Sequence, residues 1–147
     1  MSAGEDIPEA YAAPIAALAE EMARHGRARA APVREVMALL GDRWTTLLLI
    51  VLSIGPWRHA ALRRAVARLS AEQKISQRML TLKLRALERD GFVLRSISGD
   101  VPPRVAYALT PLGEGLAGQA RGVVDWVNAQ AEAIHAARAV FDAAERD

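Results

Sequence analysis

The 147-residue chain contains no cysteine, and this absence removes several kinds of chemistry at once. Disulfides, thiolate nucleophiles, Cys-ligated zinc, iron–sulfur clusters and thiol-based redox sensing all need a sulfur that the sequence does not supply. The three histidines, His25, His59 and His135, are far apart and lack the spacing of metal ligands. Neither a metal nor a cofactor is therefore expected.

Long apolar runs are also missing. The longest one, residues 47–52, has 6 residues, whereas a membrane-spanning helix needs about 20. The first ten residues, MSAGEDIPEA, are acidic and do not show the basic-then-apolar order of a signal peptide. We expect a cytoplasmic protein that has no membrane partner.

Catalytic motifs are absent as well. The sequence contains no GxSxG elbow, P-loop, HExxH or GxGxxG pattern. Its acidic residues show no motif that would pair them with a histidine or with a second carboxylate. We expect a binding protein and not an enzyme.

The small net charge of +2 conceals a strong segregation of charge along the chain. Residues 24–104 carry a formal charge of +10, residues 1–23 carry −5 and residues 105–147 carry −3. Of the 19 basic residues, 17 are arginines, and arginine forks fit phosphate and guanine bidentately. A genome rich in G and C would also favour arginine, but it would not explain the segregation. The basic middle therefore indicates a surface that binds a polyanion.

Hydrophobic periodicity predicts four helices in the first half of the chain. We place them at about residues 7–25, 33–40, 43–54 and 58–69. Asp42 is a suitable N-cap for the third helix, which is apolar almost all round and is therefore expected to be buried. In the fourth helix Leu62, Val66 and Leu69 are expected to face inward.

The segment KISQRMLTLKLRALERDGF predicts a further helix of about four turns, spanning residues 76–90. Ser76 is a good N-cap, and Gly91 suits the position just after a helix. At about 100° per residue, Leu80, Leu84 and Leu87 share one narrow face. The opposite face is polar and mostly cationic, and it holds Arg78, Thr81, Arg85 and Arg89.

After Gly91 the pattern changes to that of strands. The stretches FVLRSIS and VAYAL, separated by GDVPPR, predict a two-stranded hairpin over about residues 93–109. Thr110 and Pro111 are typical of a helix start, with Thr as N-cap and Pro at the first helical position. One long last helix is expected to continue to Arg138 or beyond.

This order predicts a mainly α protein with a small β-hairpin (α+β), namely a winged helix-turn-helix. The first and last helices have more apolar surface than such a module needs, so we expect additional N- and C-terminal dimerisation helices. Packing within one chain is the alternative for them. In such modules the cationic helix enters the DNA major groove and the wing lies on the backbone or in the minor groove. The candidate DNA contacts of the helix are Ser76, Gln77, Arg78, Thr81 and Arg85. Those of the wing are Arg95, Ser96 and Arg104. Candidate phosphate contacts are Arg63, Arg64 and Lys83, although intramolecular pairing is an equal alternative for the two arginines.

Four stretches of the sequence are informative when taken together, namely GDRWTTLLL, GP followed by LRRAV, ISQRMLTLKLRALERDGFV and VPPRVAYALTPLG. In these stretches the chain resembles the HxlR-type winged-helix transcriptional regulators of bacteria. The resemblance runs from about Pro32 to Leu116. It implies a homodimer that binds a pseudo-palindromic operator, commonly as a repressor and sometimes as an activator. It also implies that ISQRMLT begins the recognition helix and that VPPR belongs to the wing.

The chain departs from the family pattern at several positions. Ala31 stands where many relatives have a cysteine, which several of them use as a redox sensor, so that mechanism does not carry over. His59 and Ala61 stand where Phe and Glu are common, and Leu82 stands where a polar residue is usual. An alternative role for Trp57 and His59 is to line a ligand pocket. The sequence does not identify an effector ligand.

The resulting organisation has three parts. Residues 1–30 form an N-terminal helical extension for dimerisation, residues 31–110 the winged helix-turn-helix, and residues 111–147 a C-terminal helix for dimerisation. Two alternatives stay open. One is a MarR-like regulator that is gated by a ligand, and the other is a winged-helix adaptor for proteins or ligands that does not read DNA sequence.

Overall fold

The computed structural model of the chain describes residues 6–70 and 74–147. The elements fall into two compact units, one that ends at Gly41 and one that begins at Asp42. Each unit is described by itself below.

The first unit holds two helices, α1 (Glu9–His25) and α2 (Pro32–Leu40). Gly26 ends α1 with a φ of 91°, a left-handed conformation that favours glycine. Pro32 opens α2, where its missing N–H costs no hydrogen bond. No residue of α1 is buried, and its large apolar side chains are exposed. The two predicted helices are confirmed to within two residues at each end.

The second unit holds five helices and three short strands among its described residues. The helices are α3 (Arg43–Leu52), α4 (His59–Leu69), α5 (Gln77–Arg89), α6 (Pro111–Ala129) and α7 (Ala131–Arg146). The strands are β1 (Trp57–Arg58), β2 (Val93–Ile97) and β3 (Val105–Leu109).

The core of this unit is built from leucines and valines that recur at helical spacing. The fully buried apolar side chains are Leu48, Leu49, Val51 and Leu52 of α3, Leu62 and Val66 of α4, and Leu80, Leu84 and Leu87 of α5. The inward face predicted for residues 76–90 is therefore confirmed. Leu69 was expected to face inward as well, but it lies in the last turn of α4 and is 58% exposed.

The sheet has three antiparallel strands in the order β1-β3-β2, so the prediction of a two-stranded hairpin was incomplete. Trp57 pairs with Tyr107 on one side of β3, and Arg95 pairs with Tyr107 on the other. The indole N–H of Trp57 also donates to the carbonyl of Val51, 2.9 Å away, which holds the added strand against α3.

The wing is joined to α6 by a tight corner. Gly91 has a φ of 81°, and the hydroxyl of Thr110 donates to its carbonyl over 2.6 Å. Thr110 caps α6 by accepting from the N–H of Gly113, and its own N–H donates to the carbonyl of Phe92. A Cβ at position 113 would overlap that carbonyl, so this close approach requires glycine.

The single long C-terminal helix was a wrong prediction. The helix ends at Ala129, Gln130 takes a non-helical conformation, and α7 begins at Ala131. Because the break contains neither glycine nor proline, the sequence gives no local signal for it.

Candidate nucleic-acid interface

The helix α5 begins at a side-chain cap. The hydroxyl of Ser76 accepts a hydrogen bond from the N–H of Met79, 3.0 Å away, and so satisfies one of the backbone donors that a helix leaves open at its start. Ser76 was predicted as a DNA contact. It lies exposed at the tip of the helix, and the bond shows that it also sets where α5 begins.

The outer face of α5 is cationic and open. Gln77, Arg78 and Arg85 are exposed, whereas Leu80 and Leu84 on the other face are fully buried. The core therefore fixes which side of the helix a partner meets. This face can present guanidinium groups to phosphates or base edges.

Thr81 lies on the same outer face but differs from its neighbours because it is half-buried and already bonded. Its hydroxyl oxygen is 3.0 Å from Nε2 of His59, the first residue of α4. The His59 ring also lies near the ring of Tyr107, with centroids 6.1 Å apart at an angle of 56°. His59 thus links α4, α5 and β3, a role that the sequence left open.

The electrostatic surroundings of His59 favour its neutral form. Burial lowers the pKa of the imidazole below its ordinary value, and the nearby positive charge of Arg63 lowers it further. A neutral ring can accept or donate at Nε2, depending on its tautomer.

Lys83 is held by a carboxylate. Its Nζ lies 3.0 Å from Oδ2 of Asp42, the N-cap of α3. Burial acts to raise the pKa of Asp42, but hydrogen bonds from Thr45 and Lys83 outweigh it and keep that pKa below its ordinary value. Of the three candidate phosphate contacts, Lys83 therefore already has an ionic partner within the unit.

Arg63 and Arg64, the two candidate phosphate contacts on α4, differ in their surroundings. Arg63 turns inward, and its Nε donates to the carbonyl of Ile75 over 2.8 Å, immediately before the cap of α5. Arg64 is exposed. Both line a cleft of about 350 Å³, which also includes Lys74. Sequence reasoning missed Lys74 as a site residue, although its place two residues before Ser76 in a basic segment was a usable signal.

The three wing residues that were predicted to contact DNA are all exposed. Arg95 and Ser96 lie on β2, and Arg104 lies just before β3. The loop at the wing tip is closed by Ser98, whose hydroxyl accepts from the backbone N–H of Arg104 over 2.9 Å. The backbone at Arg104 is therefore fixed without the help of its side chain.

A second cleft, of about 390 Å³, separates α5 from the wing. Its lining brings three predicted residues together, Thr81, Arg85 and Arg95. Glu88 and Tyr107 complete the lining, and the Glu88 carboxylate lies 3.8 Å from Nε of Arg95. Burial raises the pKa of Tyr107 above its ordinary value, while the charge of Arg95 opposes that rise. The phenol is consequently protonated at neutral pH.

These features define the class of protein. A buried helix, a second helix, a capped helix with a cationic outer face and a three-stranded wing beside it make up a winged helix-turn-helix. In modules of this class a helix of this kind enters the DNA major groove.

Comparisons with known proteins agree with this class and specify the family. The profile described as HxlR-like helix-turn-helix matches residues 39–135. The chain belongs to this family.

Individual relatives are transcriptional regulators. The HTH-type transcriptional regulator YtfH of Escherichia coli (strain K12) is 37% identical over 107 residues, which cover 73% of this chain and 80% of YtfH. The structure of the transcriptional regulator YtfH from Salmonella typhimurium has a TM-score of 0.63 and 37% identity, covering 76% of this chain and 94% of that one. The redox regulator HypR in its oxidized form has a TM-score of 0.56 and 35% identity, covering 67% of this chain and 95% of HypR.

The protein is accordingly a DNA-binding transcriptional regulator of the HxlR family and not an enzyme. Within residues 6–70 and 74–147, no helix has both the length and the apolar character that crossing a membrane requires.

Proposed function

We propose that the protein represses transcription by binding a pseudo-palindromic operator as a homodimer, with α5 in the major groove and the wing on the backbone or in the minor groove. The observation that carries this proposal is the exposed cationic face of α5 beside exposed arginines of the wing. Affinity comes from arginine–phosphate contacts, and specificity comes from base-edge contacts of Gln77, Arg78, Thr81 and Arg85.

The homodimer is supported by apolar side chains on the terminal helices. On α1, four large side chains are between 44% and 61% exposed, namely Tyr11, Ile15, Leu18 and Met22. Exposed large apolar side chains of α6 and α7 are Leu112, Val123, Trp126, Val127, Val140 and Phe141. Exposed large apolar side chains are costly in water, and a second copy of the chain would cover them in both protomers through isologous contacts. We therefore propose that residues 1–30 and 111–147 serve dimerisation and that residues 31–110 bind DNA.

Thiol oxidation is not part of the proposed control of this protein. HypR is named as a redox regulator, but the 147 residues here contain no cysteine that could form a thiolate or a disulfide. The signal that releases the repressor, if there is one, must act through other chemistry.

Selection of bound fragments from a random DNA pool by the full chain tests the proposal. We expect enrichment of an inverted repeat whose half-site centres are about 10–10.5 base pairs, or 34–36 Å, apart. Failure to enrich any sequence would contradict sequence-specific binding and favour the adaptor alternative.

Two further measurements address the finer parts of the proposal. Sedimentation at micromolar concentration should give a dimer, and a monomer both with and without DNA would contradict the homodimer. A reporter gene with the selected operator across its promoter should be expressed less when the protein is present. Higher expression would identify an activator.

A further inference from the structure

Thr81 lies on the proposed DNA-facing side of α5, and its hydroxyl already has a hydrogen-bond partner within the chain. It lies one turn before Arg85 and lines the same cleft. A threonine offers a partner two different groups, a hydroxyl that forms hydrogen bonds and a methyl group that makes apolar contacts. In the major groove, the methyl group of threonine is suited to contact the C5-methyl group of thymine.

The imidazole of His59 is the hydrogen-bond partner of the Thr81 hydroxyl. Its Nε2 lies 3.0 Å from Thr81 Oγ1, a normal distance for a hydrogen bond. The imidazole is kept in place at the start of α4 and by its ring contact with Tyr107. Because the bond joins two half-buried side chains on different elements, it fixes the rotamer that points Oγ1 of Thr81 toward His59.

We infer that Thr81 is a specificity-determining residue that reads a thymine by methyl–methyl contact, and that His59 is the positioning residue that reserves its hydroxyl. This inference rests on the proposed sequence-specific binding of DNA. It assigns to Thr81 a readout different from the hydrogen-bond readout open to Gln77, Arg78 and Arg85 on the same face.

The test uses the selected operator with its thymines replaced one at a time by deoxyuridine, which lacks only the C5-methyl group. The full wild-type chain should bind about fourfold more weakly when one particular thymine of a half-site is replaced, the change expected for losing one buried methyl contact. If no thymine shows this loss, the inference is wrong.

Two substitutions of Thr81 separate the methyl group from the hydroxyl. Thr81→Ser keeps the hydroxyl and its bond to His59 but lacks the methyl group, so it should bind the thymine and uracil operators equally well. Thr81→Val keeps the methyl group and lacks the hydroxyl, so it should still prefer thymine. Retained preference in the serine variant, or lost preference in the valine variant, would overturn the inference.

His59→Phe tests the positioning role. The variant keeps an aromatic ring beside Tyr107 but cannot bond to Thr81, which frees the hydroxyl for hydrogen bonds with bases. A repeated selection should accept other bases at the thymine position while the rest of the operator is unchanged. An unaltered preference there would remove His59 from the readout, and thermal unfolding followed by circular dichroism would show that the variant is folded.

Leu82 provides the matched control, since its exposed side chain is a second apolar group on the edge of the same face. In Leu82→Ala, replacement of the thymine that contacts Thr81 by deoxyuridine should still weaken binding about fourfold. Loss of that effect would assign the thymine contact to Leu82 instead. An operator that shows no thymine dependent on Thr81 overturns this inference alone, whereas failure to enrich any operator overturns the proposed function as well.

Discussion

Lys83 and Asp42 form an ion pair, with Nζ 3.0 Å from Oδ2, that joins the middle of α5 to the N-cap residue of α3. The same carboxylate oxygen accepts from the N–H and the hydroxyl of Thr45. Asp42 therefore caps α3 and forms an ion pair with α5. The buried face of α5 and this ion pair together fix how the outer face is presented.

Replacement of Asp42 should show which of its two contacts matters more for stability. Asp42→Ala removes the cap and the ion pair, and it should lower the free energy of unfolding by about 1 kcal/mol, since loss of an N-cap typically costs about 0.5–2 kcal/mol. Asp42→Asn keeps a cap acceptor but loses the charge, so most of the stability should remain because partly exposed ion pairs contribute little. Urea unfolding at pH 7 measures both. Equal losses in the two variants would show that the ion pair dominates.

Gly113 should tolerate no side chain. A Cβ there would meet the carbonyl of Phe92 at the corner between β2 and α6, and relieving such an overlap usually costs about 1–3 kcal/mol. Gly113→Ala should therefore lower the midpoint of urea unfolding. Gly115→Ala, in the same helix with nothing within 4 Å of its added Cβ, is the control. It should be neutral or stabilising by up to about 1 kcal/mol because alanine is the better helix former. Equal effects would contradict the close approach at position 113.

Local signals made part of this fold predictable. The caps Ser76 and Thr110 and the stop at Gly91 depend on groups within a few residues, so single side chains reveal them. The buried face of α5 follows from helical periodicity alone.

Contacts between distant parts of the chain could not be predicted in this way. The strand β1 has two residues, too few for an alternating pattern, and it forms where these residues pair with Tyr107 and Ala106 of the distant strand β3. The bond between His59 and Thr81 likewise depends on how α4 packs against α5. The helix and wing residues proposed to bind DNA stay predictions, because their exposure shows access to a partner and not contact with one.

His59 should make stability depend on pH. Burial and the charge of Arg63 on α4 lower its pKa in the folded chain, while Thr81 on α5 and Tyr107 on β3 face it as uncharged groups. The unfolded chain therefore takes up a proton at higher pH than the folded one. Stability should be complete above pH of about 6.5 and should fall as the pH drops toward the lowered pKa.

The midpoint of urea unfolding between pH 7.5 and pH 5 measures this dependence. His59→Gln removes the titrating group, so its pH dependence should be shallower than that of the wild type. His135→Gln, at an exposed position on α7, is the control for removing a histidine. An equally steep decline in His59→Gln would assign the effect to another group.

Arg78 should contribute to specificity more than to general affinity. It is exposed in the first turn of α5, the part of a recognition helix that contacts base edges. Arg78→Ala should reduce the preference for the operator over random DNA by about 1–3 kcal/mol. Titrations of both DNAs at one salt concentration measure this preference. Equal losses on the two would identify a phosphate contact.

Arg104 should act on the phosphate backbone. Its side chain is exposed in the wing, while its backbone is held by Ser98, so Arg104→Ala should leave the wing intact. Loss of one phosphate contact should weaken binding to operator and random DNA alike, and it should reduce the slope of log K against log salt concentration by about 0.9. Titrations between 50 and 200 mM salt measure that slope, with Arg146→Ala as the control. A slope that matches the wild type would remove Arg104 from the interface.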